Sequence, residues 1–154
     1  MTLSAVLFSS RSEEWETPHD VFDELDREFN FTLDVCATRQ NAKCKRYYDR
    51  HRDGLAQDWS RERVFMNPPY GREIGRWMSK ARHESRRGAL VVCLVHARTD
   101  TRWWHENVEG IASEIRFVRG RIRFGRAGIP GQPAPFPSAI VVYRPQERLP
   151  VRRA

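Results

Sequence analysis

The sequence predicts an α/β fold whose sheet is mostly parallel and finishes with an antiparallel C-terminal strand. Three observations lead there. Short apolar runs alternate with segments of helical period along the chain. One of the runs, "ALVVCLV", is almost continuously apolar, as in a strand covered on both faces. And 154 residues, 40% hydrophobic and 31% charged, suit one globular domain with a proper core.

Taken in order, residues 1–14 read as a loose arm, 15–144 as the domain and 145–154 as a basic tail. "TPHDVFDELDREF" predicts a helix with Thr17 as N-cap, Pro18 at its first position, and Val21, Phe22, Leu25 and Phe29 on one face. "FTLDV" and "RVFM" predict short strands. "REIGRWMSKARHES" carries Ile74, Trp77, Met78 and Ala81 at helical spacing, which marks Trp77 and Met78 as core. After the strand "ALVVCLV", "DTRWWHENV" predicts a short helix, and "EIRFV", "GRIRF" and "SAIVVY" predict the closing strands. No internal repeat is visible.

Composition narrows the partners. The formal charge is +7 and the isoelectric point about 9.9, with the basic residues nearly all arginine. Arginine forks suit phosphates and stack on bases, so a polyanion is permitted; a solvated surface gives the same balance. The cysteines Cys36, Cys44 and Cys93 have neither disulfide pairing nor zinc spacing and read as reduced thiols, with no metal expected. "MTLSAVLFSS" lacks a basic leader and a long enough apolar run for a signal peptide, and no segment reaches transmembrane length. A cytoplasmic protein is expected.

Open α/β sheets bind ligands outside the carboxyl ends of their strands. Asp34 follows "FTL", Asn67 follows "VFM", and His96, Arg98 and Asp100 follow "LVVCLV". Three strand ends thus deliver polar groups to one rim. Among them "NPPY", Asn67 to Tyr70, stands out. Two prolines stop the ladder and hold the backbone extended. The Asn side-chain carbonyl and the adjacent backbone carbonyl then form a pair of acceptors suited to an amino group, and Tyr70 offers a flat face to the ring that carries it. Held by both hydrogens, that nitrogen becomes a nucleophile toward an in-line methyl sulfonium.

The tetrapeptide resembles that of amino-group methyltransferases using S-adenosylmethionine. The set "WETPHDVFDEL", "FTLDVCA", "DGLAQDW", "VFMNPPYG", "ARTDTRWWH" and "PFPSAIVVY" resembles, in order, the blocks of phage and prophage DNA N6-adenine methyltransferases. It covers roughly residues 15 to 143. The resemblance implies a Rossmann-like methyltransferase fold and methyl transfer to adenine N6 in DNA. By position, Asn67 and the Pro68 carbonyl accept from the adenine amine, Pro69 holds the turn and Tyr70 stacks on the base. Asp34 and Cys36 fall where the methionine part of the cofactor lies. Asp53 falls at the cofactor's adenine, with Leu55 beside it and Asp58 as the rival acid. Thr17 and Pro18 resemble the block closing over the methionine end. The chain departs from the pattern in two places. "DVCATRQNA" replaces the usual glycine-rich turn, and about thirty residues separate the first strand from the tetrapeptide, so the cofactor half is compressed. Asp49 is the acid nearest to hand for the ribose.

For DNA, Arg119, Arg121 and Arg123 alternate with Gly120, Ile122 and Phe124, which in a strand gathers the arginines on one face. Arg98 and Arg102 in "RTDTRWW" join them. Of the adjacent Trp103 and Trp104, one packs inward; Trp104 is assigned to DNA. The loop "GIPGQPAPFP" reads as a lid or substrate arm. A duplex base must be flipped into such a pocket, unless single strands are the substrate. A chain of this length leaves no room for a separate recognition domain, so specificity is expected to be short. Two alternatives stay open: another amine as acceptor (cytosine N4, an RNA base or protein glutamine), or a non-catalytic DNA-binding protein on a decayed methyltransferase fold.

Overall fold

The structure is a computed structural model that describes residues 15–125 and 131–146. The arm 1–14, part of the proline-glycine loop and most of the basic tail lie outside the described residues.

Helix α1 spans His19–Phe29 and buries Phe22, Leu25 and Phe29, the i, i+3, i+7 face read from the sequence. Its start differs from expectation. Pro18, extended at ψ 146°, takes the cap position, and no side chain caps the helix. Thr17 is one residue too early to cap and is used elsewhere. Asn30, at φ 56°, ends the helix in the left-handed region, where Asn is tolerated. The Asp26 carboxylate accepts from the Phe31 amide at 2.8 Å and turns the chain into the first strand.

The strands are β1 (Leu33–Asp34), β2 (Arg63–Met66), β3 (Leu90–His96), β4 (Glu114–Phe117) and β5 (Ser138–Tyr143). They form one sheet in the order β1-β2-β3-β5-β4. The first three run parallel, with Asp34 opposite Phe65 and Met66 opposite Cys93. β5 is antiparallel to both β3 and β4. A mostly parallel α/β sheet with an antiparallel C-terminal strand is therefore what forms. The three parallel strands end on one rim, beside Asp34, Asn67 and His96.

Helix α2 (Ile74–Arg86) crosses between β2 and β3 and buries Ile74, Trp77, Met78 and Ala81. It also buries Glu84 completely. That carboxylate accepts from the Trp59 amide at 3.1 Å and from Lys80 Nζ at 2.7 Å. A buried charge is tolerable only when so satisfied. The Trp59 indole in turn donates to the Gly54 carbonyl at 3.0 Å. The "DGLAQDW" block is thereby pinned at its tryptophan end to the crossover helix.

Helix α3 (Arg102–Asn107) settles the tryptophan pair. Trp104 is 3% exposed and stacks on Phe117, while Trp103 is half-buried and lies 5.5 Å from the His96 ring. Trp104 is a core residue, which corrects its assignment to DNA. Among the described residues "GRIRF" forms no strand: Gly120, at φ 73°, lies in a bend, and residues 121–124 join no ladder. Burial nevertheless alternates, with Ile122 and Phe124 inward and Arg119, Arg121 and Arg123 exposed. Any extended chain alternates its side chains; a strand needs a hydrogen-bonded neighbour as well.

Among the described residues no helix is long and apolar enough to cross a membrane.

Candidate active site

A cavity of about 300 Å³ opens at the carboxyl ends of β1 and β2. This is the lower end of the size range of small-molecule sites. Its floor comes from the turn after β1, Asp34 to Thr38, and its far wall from Asn67, Pro68 and Pro69. The sheet explains the first of these. Beyond β1 the segment around Tyr47 adds a parallel bridge, the Asp34 amide donating to Arg46 and the Tyr48 amide to Asp34. Asp34 is thus gripped on both sides, and the residue is 3% exposed. One oxygen accepts from the Cys36 amide at 3.3 Å and the other from the Lys43 amide at 3.1 Å. Burial raises its pKa to about 6, against the pull of those amides and the Lys43 charge.

Opposite, Asn67 leaves β2 with its amide fixed. Nδ2 donates to the Trp15 carbonyl and, at 3.0 Å, to Thr17 Oγ1. Oδ1 is buried and, among the described residues, has no hydrogen-bond partner. A buried acceptor left open costs on the order of 1–3 kcal/mol. Such an atom, on a rigid Pro-Pro turn and beside a cavity, is a site waiting for a donor.

The "DGLAQDW" block supplies one side wall. Asp53, at φ 48°, caps a short 3-10 turn (Gly54–Ala56) by accepting from the Leu55 amide. Asp53, Gly54 and Leu55 all line the cavity, as does Asp49. Asp58 does not: its carboxylate accepts from the Ser60 amide at 2.8 Å and faces Arg87 at 3.5 Å, away from the cavity. The rival acid thus does not line the cavity. Pro18 also lies outside the lining, being spent on the start of α1, whereas Thr17 and Cys36 are within it. Burial pushes the Cys36 thiol far up, so it remains neutral.

Several lining residues escaped the sequence reading, among them Trp15, Glu16, Lys43, Tyr48 and Trp77. Trp77 reads as core from its spacing and is 9% exposed, yet its edge forms part of the wall beside Gly54. Five lining carboxylates (Glu16, Asp34, Asp49, Asp53, Glu73) face three cations (Lys43, Arg50, Arg76). In a chain of net charge +7, the described lining is locally acidic, which favours positive charge there.

Tyr70 lies behind this wall. Its hydroxyl donates to the Leu94 carbonyl at 3.0 Å and its ring is 8% exposed. His96 covers one ring face, 4.7 Å between centroids and 28° between planes, and Phe124 and Phe136 approach edge-on. His96 Nδ1 is buried without a partner, and burial together with Arg98 lowers the ring's pKa to about 4. The arginine segment adjoins this cluster through Phe124, and Arg98 and Arg102 are exposed, Arg102 paired with Glu106. Among the described residues no three His, Cys, Asp or Glu side chains gather as metal ligands.

Comparison with known proteins follows the same lines. A family model described as DNA N-6-adenine-methyltransferase (Dam) matches residues 5–149. The DNA N-6-adenine-methyltransferase of Haemophilus phage HP1 (strain HP1c1) is 29% identical over 112 residues, which is 71% of this chain and 65% of the relative. That of Escherichia phage T1 is 28% identical over 104 residues, 66% of this chain and 43% of the relative. The putative methyltransferase YfdM of Escherichia coli (strain K12) is 39% identical over 66 residues, 38% of this chain and 71% of that protein. The chain therefore spans less than two thirds of the length of either phage relative.

Proposed function

The chain belongs to the DNA N-6-adenine-methyltransferase (Dam) family, and on that premise we propose that it methylates the N6 amino group of adenine in DNA, with residues 15–144 as the methyltransferase domain. The observation that carries the reading is the open, buried Oδ1 of Asn67, fixed at the edge of an acidic cavity.

The lining fits S-adenosylmethionine. Bound there, it would supply a methyl group on a positively charged sulfur. Asp34 takes the cationic methionine end, with Cys36 nearby; Asp53 and Leu55 take the adenine end, and Asp49 the ribose. Asn67 Oδ1 and the Pro68 carbonyl would accept the two hydrogens of the substrate amine and keep its lone pair out of conjugation with the ring. The nitrogen would take up the methyl group that the cofactor supplies and give its surplus proton to solvent. Orientation and two fixed acceptors supply the catalysis.

Base flipping brings the adenine to this point, or a single strand presents it directly. Exposed Arg98, Arg102, Arg119, Arg121 and Arg123 bind the phosphates. Stacking on Tyr70 displaces His96, a competing ring contact worth about 0.5–1.5 kcal/mol. His96→Ala is therefore expected to lower the KM for DNA, about 2–10-fold by that estimate. Steady-state kinetics check this, and a raised KM would show that His96 belongs to the bound state.

Gly54 supports the cofactor half by close approach. A Cβ there would lie 2.5 Å from the Val35 carbonyl oxygen and 3.1 Å from the Trp77 ring. Gly54→Ala must push the loop outward, destabilising the fold by about 1–3 kcal/mol. Cofactor affinity measured by calorimetry is expected to fall together with the melting temperature.

The proposal is tested by offering methyl-labelled S-adenosylmethionine with unmethylated DNA, RNA or protein extract in parallel. Label is expected in DNA. Label confined to RNA or protein would replace the substrate class, and absence of cofactor binding would favour a non-catalytic binding protein.

A further inference from the structure

A primary amide presents one acceptor and one two-hydrogen donor that are nearly the same shape. For Asn67 the difference decides everything, because only the oxygen can receive an amine. The groups that hold the nitrogen end therefore choose the chemistry. In this structure they are the Trp15 carbonyl and the Thr17 hydroxyl, the latter at 3.0 Å from Nδ2 on a residue only 4% exposed. Turning the amide over would set Oδ1 against the Trp15 carbonyl oxygen, which has no hydrogen to give.

The segment that carries both acceptors is itself held by residues outside the cavity lining. Glu16 and Gly125 exchange two backbone hydrogen bonds, of 3.0 and 2.9 Å. The Trp15 ring packs edge-on against Phe124 and Phe136 at 5.9 and 5.4 Å. Asn67 is thus oriented by a strap that is continuous with the arginine segment.

We propose that Thr17 is a positioning residue, whose hydroxyl, with the Trp15 carbonyl, holds the Asn67 amide so that Oδ1 faces the substrate amine. This rests on the reading of Asn67 as the acceptor. It gives Thr17 a role distinct from the cofactor contact expected from sequence.

The test compares Thr17→Val, close in shape but without the hydroxyl, with Thr17→Ser. Losing one of two anchors on a buried amide is expected to lower kcat about tenfold. Calorimetric affinity for S-adenosylmethionine should stay close to wild type, and Thr17→Ser should restore kcat. The side-chain amide protons of Asn67, observed by nitrogen-15 NMR without cofactor or DNA, should exchange with solvent faster in the valine variant. If Thr17→Val does not fold, Thr17→Ala is read in the same assays. Wild-type kcat with unchanged amide exchange overturns the proposal. So does a loss confined to cofactor affinity, which would make Thr17 a ligand. Asn67→Ala runs beside them: if it stays active, the acceptor reading fails, whereas an inactive Asn67→Ala with a fully active Thr17→Val sinks the Thr17 proposal alone.

Discussion

Asn67→Ala is expected to lower kcat by about 10³-fold, the scale seen when a preorganised polar group at a reacting centre is removed. The cause is local. Oδ1 is the open acceptor at the cavity edge, and without it the substrate amine keeps its lone pair conjugated with the ring. Because the interaction strengthens as charge develops on nitrogen, the loss should fall on kcat more than on either KM. Cofactor affinity should barely change, since the acidic lining is untouched. The fold should not weaken severely: the same substitution that removes two donors also removes a buried acceptor without a partner. Single-turnover kinetics, calorimetry and a thermal melt, made on one preparation, check all three.

The second large effect is a pH dependence with opposite signs for folding and binding. Asp34 holds its proton up to about pH 6 in the folded chain against an ordinary value of 3.8. The folded state therefore binds that proton more tightly than the unfolded state. Its stabilising contribution is complete below about pH 4 and is lost as pH rises through about 6, on the order of 2–3 kcal/mol in all. A cationic ligand reverses the preference, because it needs the carboxylate ionised. S-adenosylmethionine affinity should thus rise over the same window in which fold stability declines, and binding near pH 6 should release a proton. Asp34→Asn should flatten the pH dependence of binding and weaken affinity at pH 8. Calorimetry in buffers of different ionisation enthalpy measures the proton directly; affinity that does not change from pH 5 to 8 would remove Asp34 from the cofactor site.

The strands were legible because the sheet is buried: β2, β3 and β5 are short apolar runs with sharp polar edges, and the carboxyl ends of β1 and β2 name Asp34 and Asn67. Other features depended on neighbours that a sequence does not display. Thr17-Pro18 fits an N-cap and first-turn proline, but the extended ψ of Pro18 moves the helix start to His19 and frees the Thr17 hydroxyl for Asn67. Asp53 and Asp58 are equivalent in "DGLAQDW" until the 3-10 turn sends one into the cavity and the other toward Arg87. Adjacent tryptophans on a helix must diverge, yet which one turns inward depends on where the core lies, and it is Trp104 that joins the core cluster. The alternation in "GRIRF" was read correctly as alternation and wrongly as a strand, because no neighbour completes a ladder. The His96 ring on Tyr70 had no sequence signal beyond its position at the end of β3.

The most direct measurement is the identity of the methylated nucleoside. Purified protein, methyl-labelled S-adenosylmethionine and unmethylated duplex DNA are incubated, and the DNA is digested to nucleosides and resolved. Label in N6-methyladenine, absent when Asn67→Ala replaces the wild type, is the expected result. Label in N4-methylcytosine, or N6-methyladenine formed equally by the Asn67→Ala protein, would contradict the assignment of Asn67 as the acceptor that selects and activates the adenine amine.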